Sequence, residues 1–178
     1  MARIPQHLNR QDLRILLIAG TLMVLWNIYC WQFPFFWDNV LNAKIAHWYL
    51  DTGFSQLTVP EGLDAGHPPF FSLYLAVVWR LTGGASLAIA HVAMLPFLLL
   101  LLVQYYKLAV RLLPENGKLW ALAFLVCEPT FLAQSSMLTP DIALVSLFLL
   151  CLNALMDGRR GLQAVAMTLM AAVTFRGI

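Results

Sequence analysis

Four long apolar runs, residues 15–35, 85–106, 119–137 and 142–156, constrain this chain more than any other feature, and a fifth covers 162–175. At about 1.5 Å of rise per helical residue, each crosses or nearly crosses a hydrocarbon core roughly 30 Å thick. With 61% of residues hydrophobic and 11% charged, no water-soluble domain of 178 residues could bury that much apolar surface. The pattern predicts an all-α, polytopic membrane helical bundle of about five transmembrane helices. Residues 1–178 form a single membrane domain, with no internal repeat, heptad or low-complexity linker.

The placement of charge predicts the topology. Arg3, Arg10 and Arg14 precede the first run, which resembles a signal peptide but is followed by no small-x-small cleavage site, so it is read as an uncleaved span. A first external loop, about 36–84, carries a polar stretch at 38–67 and then a short apolar segment at 69–81, closed by Arg80 and Gly83-Gly84. Were 69–81 a span, Lys107, Arg111, Lys118, Arg159 and Arg160 would lie opposite the basic N-terminus. Its length, about 20 Å as a helix, is also short of the hydrocarbon thickness. It is therefore predicted as a juxtamembrane helix, leaving the N-terminus cytoplasmic and every basic cluster on that side. A second juxtamembrane helix is predicted over 39–51, with Leu41, Ile45, Trp48 and Tyr49 on one side at headgroup level and Gly53 ending it. Trp37, Trp48, Tyr49, Tyr74 and Trp79 suit an interfacial aromatic belt.

Net charge of +2, dispersed, excludes a nucleic-acid partner. Cys30, Cys127 and Cys151 are odd in number, far apart and set in apolar sequence, so they read as small hydrophobes and not as a disulfide framework or metal knuckle.

Polar groups with chemical capacity gather on the external side. Asp38 follows the first span directly, beside Trp37, where low-dielectric surroundings favour a raised proton affinity and a general-base role, the bland alternative being a helix cap. Such a base could take the proton of an acceptor hydroxyl during inverting transfer at a sugar anomeric carbon. His67, in Gly-His-Pro-Pro, could contact a phosphate or a metal; a lone His makes a poor metal site, with His47 near only in sequence, so no metal site is assigned. Asp141 follows Pro140 at the mouth of a span, where it could cap the helix or bind substrate. Arg176 ends the fifth run against the positive-inside trend and could bind an anionic phosphate, or simply snorkel. Glu128, followed by Pro129 inside the third run, is either a functional intramembrane acid or a helix-kinking structural residue. A broken-helix transporter would use the same pair, but no matching second broken segment supports it.

In this order the motifs resemble membrane glycosyltransferases of the GT-C fold, especially the bacterial family 39 proteins related to aminoarabinose and protein O-mannosyl transferases. The resemblance covers nearly the whole chain and rests on Trp37-Asp38, Gly-His-Pro-Pro-Phe-Phe at 66–71, Leu-Thr-Gly at 81–83, Thr-Pro-Asp at 139–141 and Phe-Arg-Gly at 175–177. It implies transfer of a sugar from a polyprenyl-phosphate-linked donor to a lipid, glycan or protein acceptor on the non-cytoplasmic face of a bacterial inner (plasma) membrane. Asp38 would be catalytic, and Asp141, His67 and Arg176 would bind substrate, Arg176 in the donor-phosphate region. His67 matches the mannosyltransferase form, whereas Asn39 stands where those proteins tend to have Glu, which leaves the acceptor class open. No cofactor is assigned beyond a divalent cation that Asp141 could position. Family members continue through several more spans, so the chain reads as an N-terminal portion from which robust activity alone is not expected. The alternative is a non-catalytic membrane module that binds a lipid-linked carrier or assembles with other membrane subunits.

Overall fold

The computed structural model describes residues 8–35, 37–63, 66 and 68–174, and these are all-helical, without a strand. The helices run α1 (Arg10–Cys30), α2 (Asp38–Asp51), α3 (Phe70–Thr82), α4 (Leu87–Ala93), α5 (Leu95–Leu112), α6 (Glu115–Cys127), α7 (Pro129–Ser135), α8 (Pro140–Met156) and α9 (Arg160–Val173), with a 3₁₀ turn at Glu61–Leu63. Two stretches, Arg10–Cys30 and Leu87–Leu112, are long and apolar enough to cross a membrane. The α7–α8 pair, bent by 108° at its break, makes a third if taken as one span. The lipid-compatible surface is plain on α1, where Leu13, Leu17, Ile18, Leu22, Leu25 and Tyr29 are exposed.

Local sequence explains where the helices stop. Asn9 and Asp12 start α1 with a capping box, each side chain accepting the other's backbone N–H. The third apolar run is not one helix. Pro129 has no N–H to give and disfavours helical backbone at Glu128, which is extended, so α6 ends at Cys127 and α7 begins anew. Gly83, in the left-handed region at φ 89°, closes α3.

Helices α2 and α3 pack against each other through a buried stripe on each. Asn42, Ile45, Ala46 and Tyr49 make the buried stripe of α2, and Phe71, Ser72, Leu75, Ala76 and Trp79 make that of α3. These spacings of three and four place each stripe on one helix face, and the two helices pack together. His47 lies beside Trp79, ring centroids 4.9 Å apart, rather than in a ligand cluster. Tyr49 donates to the Leu57 carbonyl at 2.8 Å and Tyr74 to the Ala93 carbonyl at 2.7 Å. Burial raises both phenols above the usual tyrosine value, so they remain neutral donors at physiological pH.

Long-range bonds define two ends of the bundle. At one, Asp12 of α1 accepts from Tyr106 of α5 at 2.9 Å and from Lys118 of α6 at 2.8 Å. Arg111 of α5 pairs there with Asp157, just past α8. At the other, Asn27 near the close of α1 donates to the His91 carbonyl of α4 at 3.2 Å, and Trp26 donates to the Leu132 carbonyl of α7 at 3.0 Å. Helix α1 is therefore antiparallel to α4–α5, and residues 31–86 leave and return at the same end. Whatever α3 does, it adds no net crossing. The ends are called below the charged end and the loop end; Arg10, Lys107, Arg111, Lys118 and Arg160 all belong to elements that begin or finish at the charged end.

Helix α5 is the hub, packed on α1, α4, α6 and α8. Asn153 of α8 ties α8 to it by donating to the Gln104 carbonyl at 2.8 Å and the Gln104 side-chain oxygen at 3.1 Å. Asn153→Leu is expected to lower stability by about 1 kcal/mol, the usual scale for an interhelical hydrogen bond in a membrane. Unfolding in mixed micelles would read this as a lower midpoint, and an unchanged midpoint would deny the bond any weight.

Candidate functional site at the loop end

After α1 ends at Cys30, the chain crosses Pro34 and reaches Trp37, which carries a positive φ of 49° and is 85% exposed. A bulky aromatic in that region is sterically strained, and such outliers concentrate where surrounding structure holds the backbone for a purpose. Asp38 then occupies the first position of α2, with Trp37 in the cap position. The Asp38 side chain, His67 and Arg176 lie outside the described residues.

Asp141 is described in full. Thr139 caps α8, its hydroxyl oxygen accepting from the Asp141 N–H and donating to an Asp141 carboxylate oxygen, both at 3.3 Å. Pro140 occupies the following position, where its missing N–H costs nothing. Asp141 lines a cavity of about 530 Å³ bounded by α5, α6, α7 and α8. Glu128 lines the same cavity, with Thr130 and Gln134, against walls that include Tyr105 and Phe148. The sequence reading keeps Glu128 and Asp141 apart, as an intramembrane acid and a span mouth. The break at Pro129 brings them onto one surface.

Each carboxylate is partly committed. Glu128 caps α7 by accepting from the Phe131 N–H, at the point where the third apolar run breaks. The cavity itself is lined almost entirely by apolar surface, with the two acids at its rim. An apolar chain suits such a lining. Among the described residues no three His, Cys, Asp or Glu side chains converge to hold a metal ion.

The loop end also holds a polar cluster that the sequence reading does not single out. His91 and Asn27 are 1% and 0% exposed. The His91 ring nitrogen Nε2 lies 3.1 Å from the Phe33 carbonyl, and the ring packs on Phe35 at 4.7 Å. The available signal was a polar residue inside each of two apolar runs, which in a membrane helix needs a partner.

No family model matches this chain, and no curated protein and no solved structure matches it.

Proposed function

We propose that this chain is a GT-C-like membrane glycosyltransferase that moves a sugar, with inversion, from a polyprenyl-phosphate carrier to a lipid, glycan or protein acceptor. In this reading Asp38 removes the proton of the acceptor hydroxyl while its oxygen attacks the anomeric carbon, and polyprenyl phosphate departs. Arg176 offsets the charge of the departing phosphate, while Asp141 and His67 position the substrates. The bundle lies in a bacterial inner membrane with its charged end in the cytoplasm, as the positive-inside preference asks. Helices α1, α4–α5, α6–α7, α8 and α9 serve as successive passes.

The observation that carries the proposal is the antiparallel return of α1 and α4–α5. It puts the strained Trp37-Asp38 corner at the same end of the bundle as the cavity of Asp141 and Glu128. An acceptor base and an apolar cavity fit for a prenyl tail would then share one end of the bundle.

The test is reconstitution in vesicles with a panel of polyprenyl-phosphate hexoses and pentoses. Release of polyprenyl phosphate is expected when an acceptor is present. Saturable carrier binding with no release from any donor would favour the carrier-binding module instead, and neither binding nor release would reject both.

A further inference from the structure

His91 has no part in the chemistry above, yet it is among the most buried polar side chains, and one of its ring nitrogens reaches the exit of α1. A backbone carbonyl can only accept, so the 3.1 Å contact with the Phe33 oxygen requires Nε2 of His91 to carry the proton and donate. The second ring nitrogen, Nδ1, is also buried and lies beside the Ser136 backbone. The Phe35 ring lies against the imidazole at 4.7 Å, tilted by 36°. From below, Asn27 of α1 donates to the backbone carbonyl of His91 itself at 3.2 Å. One residue thus grips two positions of the 31–37 segment and is in turn held by the helix from which that segment emerges.

Burying an imidazole costs free energy that an apolar residue in α4 would avoid. The strained backbone at Trp37 needs restraint from both sides to persist. Helix α2, packed on α3, restrains it from one side. The other side is the short segment that His91 holds.

We propose that His91 is a positioning residue that, through its Nε2 bond to Phe33 and its face on Phe35, holds the α1 exit so that Trp37 and Asp38 are presented in one orientation. The consequence for transfer rests on the glycosyltransferase reading; the restraint of the segment does not.

Two amides of equal polarity separate this role from general packing. In Gln the side-chain nitrogen sits where Nε2 of His does, and in Asn it sits where Nδ1 does. His91→Gln therefore keeps a donor for Phe33, and His91→Asn loses it. In a cysteine-free version of the full chain in vesicles, a nitroxide on Trp37→Cys is expected to be ordered with His91, ordered with His91→Gln, and severalfold more mobile with His91→Asn. In the transfer assay, with Trp37 intact, His91→Asn is expected to lower kcat by about 10- to 100-fold with KM little changed, the scale for misplacing a reacting group. His91→Gln should restore it. Equal label mobility in the Gln and Asn proteins would overturn the proposal. Phe35→Leu leaves the histidine in place and removes the ring contact: a more mobile label supports the clamp, and an unmoved one overturns it. Should label order follow His91 while no variant nor the parent transfers sugar, the positioning role stands and the transferase reading falls.

Discussion

Asp38→Asn is expected to reduce sugar transfer by about 10²- to 10⁴-fold, the contribution of a well-placed general base. The amide is nearly isosteric with the carboxylate but cannot accept a proton at neutral pH, so the acceptor hydroxyl would remain a poor nucleophile. Folding should be spared, because Asn keeps the size and polarity of Asp at the first helical position of α2. Carrier binding should be equally spared, since the donor phosphate is assigned to Arg176. The informative measurement is initial transfer rate together with carrier affinity for the same preparation. Full transfer by the Asn variant would remove Asp38 from the chemistry, and lost binding alongside lost transfer would recast it as a substrate ligand.

The second large effect lies at the charged end. Lys118 and Asp12 are both buried, their side chains 4% and 2% exposed, and they meet at 2.8 Å. Glu115 adds a second carboxylate to the ammonium at 2.6 Å, and Tyr106 a second donor to Asp12. This cluster joins α1, α5 and α6 across sequence separations of 94 and 106 residues. Lys118→Met would leave the Asp12 carboxylate buried without its counter-charge. The expected loss is about 3 kcal/mol, the lower part of the range for an orphaned buried charge, because the helix ends lie close to water. Adding Asp12→Asn to Lys118→Met should recover most of that loss, since a buried pair replaced by neutral groups of similar volume is often no less stable. Unfolding of both proteins and the parent in mixed micelles gives the cycle. A single variant within about 0.5 kcal/mol of the parent would show the cluster to be no more than a surface pair.

Particular residues mark how far the sequence could be read. Pro129 announced the break in the third run, because a missing N–H and a disfavoured preceding conformation act locally whatever surrounds them. The short segment at 69–81 was legible as an element without net crossing from its length and the basic residues around it, and the opposed directions of α1 and α4–α5 agree. Helix α2 was legible as a helix, but not that its apolar side packs on α3. An amphipathic period says which face of a helix is apolar and is silent about what meets it.

The candidate site divides in the same way. Asp141 could be placed at the mouth of a helix because Thr-Pro-Asp carries its own capping chemistry. Its shared cavity with Glu128 depends on a bend of 108° and on the packing of α5 against α8, which no local motif encodes. His91 and Phe33 are 58 positions apart and meet through one ring nitrogen.

From its sequence alone, then, this chain is committed to helices, some of them long and apolar enough to cross a membrane, with a break at Pro129. These follow from hydrophobicity and backbone chemistry, which act over a few residues or over the whole chain. Which faces meet, which acids share a cavity and which histidine grips the α1 exit were decided by the tertiary structure. Each of those depends on contacts between distant residues, whose geometry exists only once the helices have packed.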